Sequence, residues 1–383
     1  MGGCEEYRVA IPFREIRERV PGSVLDWAPI GKVQKWAAGG TRRVTPTDYD
    51  MWVLPRHRPL PYGTGGTIGL DDIPDNIKNG MEQKWGFTLE GQAHLLDLVR
   101  LVKKKLVVIG EYDDDHWGSR DLGYMEHVDL ARRLLREFDA ITVTTEHMRD
   151  VVKRYAPAVP VYILPNCVKW SHWQGWDRWD RWEPDSLVLG LTGSITHYDD
   201  WIVLKDVIPR VLAEYPNVCL LLQGFVPDYF EELAEKYPNR VYADKGFRDY
   251  TEYPGVIRQS DITLCPVDPT DKFNLCKSPI KSLEGMSAGR AISDGNQGGA
   301  AVIASHINYY GRVVGWGNKR GIVVDHEPDA WYNAITTLIR DKEKRERYQR
   351  AGHRWAEQNL SIERNWKRWW DCYQTVYNRR KRL

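Results

Sequence analysis

Residues 187–224 read LVLGLTGSITHYDDWIVLKDVIPRVLAEYPNVCLLLQG, and the order of their patterns decides the fold. Leu187–Leu191 is a short, nearly continuous apolar run, the mark of a strand buried on both faces. Trp201–Tyr215 spaces its apolar residues as a helix does, with one buried stripe. Val218–Leu222 is a second apolar run. Two strands joined by a crossover helix run parallel, because the helix returns the chain to the edge from which it started.

The same alternation extends outward in both directions. Towards the N-terminus, strands are expected at Tyr7–Phe13, Met51–Leu54, Leu106–Ile109, Ala140–Thr144 and Val161–Leu164. Helical patterns lie between them, at Leu95–Lys104 and His127–Phe138. Towards the C-terminus, strands are expected at Val241–Ala243, Ile262–Pro266, Ala291–Ser293 and Gly321–Val324. Helices fall at Tyr229–Lys236, Tyr253–Gln259, Ile280–Ala288 and Trp331–Asn359. The class is α/β, with two Rossmann-like domains built on parallel sheets. A boundary follows Pro165-Asn166, where the chain reads KWSHWQGWDRWDRWEPDS. Trp170, Trp173, Trp176, Trp179 and Trp182 recur every third residue, a period that drifts off one face of an α-helix. This run reads as an aromatic-packed linker with 3₁₀ or extended character, or as a platform for a sugar or base ring. The expected organisation is a domain over residues 1–168, a Trp-rich linker over 169–186, a second domain over 187–360, and a C-terminal helix with a basic tail over 361–383.

Composition sets bounds on function. The chain has 383 residues, 42% hydrophobic and 28% charged, which is ordinary globular composition. With 54 Lys+Arg against 53 Asp+Glu, a formal charge of +1 argues against a generally basic nucleic-acid binder. No apolar stretch is long enough to span a bilayer, and the start MGGCEEYRVAIPF lacks the pattern of a secretory signal. An acylation start is also unsupported, since Glu6 and Tyr7 stand where Ser or Thr is needed. The six cysteines form no CxxC pair and none suits a zinc site, so a reducing, cytoplasmic location is expected. Residues 340–383 hold 14 Lys/Arg against 6 Asp/Glu, interleaved with Trp366, Trp369 and Trp370. That helix is either docked with a solvated basic face or a peripheral contact to anionic lipid or nucleic acid.

The most chemically specific segment is FNLCKSPIKSLEGMSAGRAI, residues 273–292. Ile280, Leu283, Met286 and Ala288 suit the buried face of a helix. Ser278 suits its N-cap and Pro279 its first turn, so Lys277 stands just ahead of a helix N-terminus, a favourable place for a phosphate. Glu284, further along the helix, can accept hydrogen bonds from hydroxyl groups.

This segment resembles the donor motif of GT-B glycosyltransferases, especially the retaining family 4. Glu284-Gly285-Met286-Ser287-Ala288-Gly289 matches the family's Glu-Ala-Met-Ala-x-Gly. Phe273, Asn274, Lys277, Ser278, Lys281 and Glu284 match a subgroup pattern position by position. The resemblance runs over roughly residues 106–305 and includes FDAITVTTEHMRDVV and VYILPNCV. It implies a GT-B fold with the two sheets facing a central cleft and the last helix crossing back to the first domain. It implies a UDP- or GDP-linked sugar as co-substrate, transfer with retention, and neither cofactor nor metal. The sequence departs from the family in two places. Cys276 stands eight residues before Glu284, where the family has an acid. The family's Arg and Lys after the first strand of the second domain are replaced by Gly193-Ser194-Ile195-Thr196-His197.

Donor binding is expected from Gly193, Ser194, Thr196, His197, Gln223, Gly224, Phe247, Lys277, Ser278, Lys281 and Glu284, with Lys205 a weaker candidate. Lys277 and Glu284 are the catalytic candidates, and His147 or Asp115 would serve if the reaction needs a base. Acceptor binding is expected from Gly65, Gly66, Asp113, Asp114, His116 and Asn166, which follow strand ends in the first half. The expected acceptor is a glycan or lipid-linked glycan, and the basic Trp-rich C-terminus suits membrane contact. The alternatives are a hydroxymethylated base in DNA, a sugar-nucleotide epimerase and a non-catalytic binding protein. Residues 1–168 carry 23 Lys/Arg and 24 Asp/Glu, which disfavours DNA as the acceptor.

Overall fold

The structure, a computed structural model, describes residues 6–23, 49–55, 95–115, 117, 131–246, 248–293 and 295–382. Gly65, Gly66, His116 and Phe247 lie outside the described residues. The chain packs as two units: Gly2–Pro165 with Trp366–Leu383, and Asn166–Asn365.

The first unit is built on four parallel strands in the order β1-β2-β3-β4, namely Met51–Pro55, Val107–Tyr112, Ala140–Val143 and Val161–Ile163. The central strands β2 and β3 are buried throughout, as their apolar runs require. Helices α1 (Ile11–Arg19), α2 (Leu95–Val102) and α3 (Glu146–Tyr155) accompany them. Tyr7–Phe13 is not a strand. Glu6–Ala10 forms a π turn that runs into α1, with Pro12 in the first turn of that helix. Residues 7–12 are all buried. A short run that is apolar on every side carries no period to separate helix from strand. Arg8, inside this turn, donates to Glu111 at 2.6 Å and to the Leu164 carbonyl, and Thr142 donates to the other Glu111 oxygen. Burial raises the Glu111 carboxyl to about 7, against the pull of the Arg8 charge.

The second unit carries a six-stranded parallel sheet in the order β12-β11-β8-β5-β6-β7. Its elements begin with β5 (Leu187–Gly193), α4 (Tyr198–Trp201), α5 (Val207–Glu214), β6 (Val218–Gly224), α6 (Asp228–Lys236) and β7 (Val241–Lys245). They continue with α7 (Tyr253–Ile257), β8 (Ile262–Cys265), α8 (Ile280–Ser287), β11 (Ala301–Ser305), α9 (Asn308–Val314) and β12 (Gly321–Val324). Helices α10 (Pro328–Arg340) and α11 (Lys342–Leu360) follow. The last helix, α12 (Ile362–Lys381), begins in this unit and from Trp366 packs with the first. Leu189, Leu191, Leu220, Leu222, Ile262 and Ile303 form the middle of the core, with helix residues Val211, Leu212, Ile335 and Leu338 packed against them.

Three expected elements differ. Ala291–Ser293 is not a sheet strand: β9 (Arg290–Ala291) pairs antiparallel with β10 (Gln297–Gly298) in a small hairpin. Arg290 is buried there, bonded to Asp261 at 2.5 Å. The sheet position belongs to β11, whose AVIAS run is too short and too rich in Ala to stand out. The helix expected over 201–215 is broken into α4, a 3₁₀ turn at Ile202–Leu204, and α5. The helix over 331–359 is two, because Asp341 stops α10 and caps α11 by accepting from the Lys344 amide at 2.8 Å.

The Trp-rich run is packed onto the second unit. Its first turn, Trp170–Trp173, is 3₁₀. Trp173 and Trp182 are buried. Trp173 Nε1 donates to the Tyr250 hydroxyl at 3.2 Å. Trp176 packs against Gly255, where a Cβ would stand 2.6 Å from its ring. Described cysteines 167, 219, 265, 276 and 372 are free thiols in buried positions.

Candidate functional site

In the second unit the strand order turns back between β5 and β8. Ligands of such sheets bind beyond the carboxyl ends of the strands at that point. Gly193, Ser194, Thr196 and His197 follow β5, and Gln223 and Gly224 end the neighbouring β6. Lys277, Ser278, Lys281 and Glu284 arrive from the segment that leads into α8 and from its first turns. Two hydrogen-bonded clusters organise these residues.

Asp200 centres the first cluster. It is 1% exposed and accepts four hydrogen bonds. Its Oδ2 receives Lys277 Nζ at 2.7 Å and His197 Nδ1 at 2.8 Å. Its Oδ1 receives Asn274 Nδ2 at 2.6 Å and the Asp268 amide at 2.9 Å. Burial pushes the Asp200 carboxyl up, but the His197 bond and the Lys277 charge outweigh it and hold it well below the usual range. Burial lowers His197 to about 4 despite the bond to Asp200, so the imidazole is neutral near pH 7. It stacks on Trp201 at 6.3 Å and lies over Gly193, where a Cβ would stand 2.7 Å from His197 Cδ2. Gly224 has φ +98°, and a Cβ there would meet the Gly193 carbonyl at 2.4 Å. These glycines let the two strand ends and the imidazole approach one another.

Lys281, Glu284 and Tyr253 form the second cluster. Lys281 Nζ donates to Glu284 Oε2 at 2.9 Å and to the Tyr253 hydroxyl at 2.8 Å. That hydroxyl lies 3.0 Å from Glu284 Oε2 and 3.3 Å from Thr192 Oγ1. Burial would lower the Lys281 ammonium, but the Glu284 charge and Tyr253 raise it. Tyr253 is pushed up to about 12 by burial and by the Glu284 charge. Both clusters pair each cation with a carboxylate, so the formal charges of Lys277, Lys281, Asp200 and Glu284 cancel.

Several expected residues take different places. Helix α8 starts one residue late, with Pro279 at the cap and no side-chain cap bond. Ser278 instead accepts from Asn166 Nδ2 at 2.8 Å. Asn166, expected with the acceptor residues, therefore packs in the second unit beside the donor motif. Lys205 is exposed on the 3₁₀ turn side of α5. Cys276, at the family's first acidic position, is fully buried, with its thiol donating to the Lys272 carbonyl at 3.9 Å. Gln223 Nε2 donates to the Gly246 carbonyl at 2.8 Å. Asp200, Asn274 as a ligand of Asp200, Tyr253 and Thr192 were not expected. The spacing of His197 and Asp200, three apart on one turn, was the only signal available for the first of them.

Of the first-unit candidates, Asp113 and Asp115 are buried and Asp114 is half-buried. Asp115 Oδ1 accepts from the Trp117 amide at 2.8 Å, closing a tight turn. Asp113 and Thr144 lie one step beyond the paired residues Tyr112 and Val143, side by side at the carboxyl edge. Thr145 caps α3 by accepting from the Met148 amide at 3.1 Å, which places His147 in the first turn of that helix, half-buried. Among the described residues no group of His, Cys, Asp and Glu is arranged to hold a metal ion.

The sequence matches no protein-family model and no curated protein. Solved structures match it in shape. HepE of Anabaena, solved with UDP and glucose, superposes with a TM-score of 0.57 at 15% identity, over 73% of this chain and 75% of HepE. Sucrose-phosphate synthase of Thermosynechococcus elongatus gives 0.52 at 14%, over 94% of this chain and 82% of its own. The fold is GT-B. TarM of S. aureus, solved with UDP, shares it at a TM-score of 0.53 and 14% identity, over 72% of this chain and 51% of TarM. At these identities the likeness is one of fold.

Proposed function

We propose that this chain is a glycosyltransferase that moves a sugar from a nucleotide-diphosphate sugar to an acceptor hydroxyl. The observation that carries the reading is the convergence of His197, Lys277, Lys281 and Glu284 at the turning point of the second sheet, in a chain with the GT-B fold. Lys277, bonded once to Asp200, has further N–H donors for a phosphate oxygen. Charge that develops on the departing nucleoside diphosphate would be stabilised by Lys277 and by backbone N–H groups beyond β5 and before α8. Glu284, braced by Lys281 and Tyr253, would hold donor hydroxyls. The HepE and TarM structures contain UDP, which favours a UDP-linked donor.

Retention and independence of metal follow from the resemblance of residues 273–289 to the retaining family 4 motif. The acceptor would be a glycan or lipid-linked glycan bound by the first unit, where Asp113, Asp114 and Asp115 supply acceptors for its hydroxyls. No described helix is long and apolar enough to cross a membrane. Incubation with UDP-glucose and mixed oligosaccharide acceptors in EDTA, with the product anomer read by NMR, tests this. The expected product keeps the donor's anomeric configuration. Inversion, or loss of transfer on chelation, would overturn those parts of the reading.

A further inference from the structure

The Asp200 carboxylate serves His197 and Lys277 through the same oxygen, at 2.8 and 2.7 Å, while its other oxygen is filled by Asn274 and the Asp268 amide. An ionised carboxylate only accepts, so the His197 nitrogen facing it, Nδ1, carries the proton. In the neutral ring Nε2 is then a bare lone pair. Nε2 is bonded to Cδ2, the atom that lies over Gly193 at the carboxyl end of β5. The charged groups acting on the ring are Asp200 on its own turn, Lys277 ahead of α8, and Lys281 on α8 with its partner Glu284. Trp201, stacked on the ring, brings no charge. These four charges cancel, and burial keeps His197 at about 4. The free site is thus a neutral place built for an anion.

We propose that His197 is neutral in the free protein and takes up one proton from solvent when the diphosphate of a nucleotide sugar binds, so that the anion itself switches on the charge that holds it. This rests on the donor reading above. The balance is simple. A solvent proton adds to Nε2, the new Nε2–H donates to a phosphate oxygen, and Asp200 stays ionised behind the imidazolium. A unit negative charge about 4 Å away in a medium of effective dielectric about 20 raises such a ring by about three pH units, and a diphosphate brings two charges. That carries the imidazole from about 4 to about 7 or above. The Asp–His pair in this way replaces the missing permanent cation beyond β5.

The test is calorimetric titration with UDP-glucose, and with GDP-mannose if UDP-glucose does not bind, in buffers of different ionisation enthalpy. These diphosphates are doubly esterified and do not titrate near neutrality, so any proton taken up belongs to the protein. Uptake should approach one proton per site near pH 6 and fall away above about pH 7.5. Affinity should strengthen as pH falls across that range. His197→Gln and His197→Asn, both of which keep an amide N–H donor but cannot take up a proton, should bind more weakly and without proton exchange. The His197 ¹⁵N resonances should move to imidazolium values in the complex. Binding by the natural protein with no proton uptake, or equal uptake by both variants, overturns the inference and leaves the donor reading standing. Failure of any nucleotide sugar to bind overturns both.

Discussion

Asp200→Ala is the most informative single perturbation of the site. The side chain is 1% exposed and Lys277 9%, so the pair is almost dry. Deleting one partner of such a pair costs about 3–5 kcal/mol, because the other charge stays buried without compensation. The Asp268 amide also loses its acceptor, at about 1–3 kcal/mol, while Asn274 Nδ2 keeps the Asp268 carbonyl at 3.0 Å. Losses at one site overlap, so the expected total is about 4–6 kcal/mol. Urea denaturation followed by circular dichroism and tryptophan fluorescence, fitted with a separate transition for each unit, reads it out. Lys277→Met alone should cost only about 1–2 kcal/mol, since Asp200 keeps three donors. The double variant should be about 2 kcal/mol more stable than the sum of the single losses predicts, because it removes the orphaned charge. An Asp200→Ala loss below about 1 kcal/mol, or strict additivity with Lys277→Met, would refute the central role given to Asp200.

Three further outcomes are expected. His197 has a folded value of about 4, below the ordinary 6.5, so its contribution is full above pH 6.5 and fades as pH falls towards 4. Relative to His197→Gln, the natural protein should lose up to about 3 kcal/mol over that window, seen in urea midpoints at successive pH values. Glu111 has the opposite sign. Its raised value, about 7 against 4.5, gives stability that is full below pH 4.5 and lost as pH rises through 7, and Glu111→Gln should flatten this slope in the first unit's transition. Gly224→Ala should destabilise the second unit by about 2–4 kcal/mol in the same denaturation assay, combining a left-handed backbone with a steric clash. Its φ is +98° and the added Cβ would meet the Gly193 carbonyl at 2.4 Å.

Much of the second unit was legible because its strands are continuous apolar runs. Leu187–Leu191, Val218–Leu222 and Gly321–Val324 all lie in the sheet, the first two strands running on by two residues to Gly193 and Gly224. Within residues 273–289 the local spacing was also legible: Lys281 and Glu284 lie three apart on α8, and Lys277 stands just ahead of it. What stayed hidden depends on contacts across the chain. Asp200 meets Lys277 at a separation of 77 residues, and Tyr253 meets Glu284 at 31. Apart from the His197–Asp200 spacing, no local pattern marks these pairings. Tyr7–Phe13 misled because burial on every side erases the period. Ser278 suited an N-cap by its side chain, but the hydroxyl is taken by Asn166.

The most direct test of the central claim is release of nucleoside diphosphate from UDP-, GDP-, ADP- and TDP-sugars without acceptor, with Lys277→Ala and Glu284→Gln run in parallel. The account predicts slow release from one donor, a UDP-sugar first, lost in both variants while their folded content is unchanged. Release that survives in both variants, or no release and no thermal shift with any donor, would contradict it.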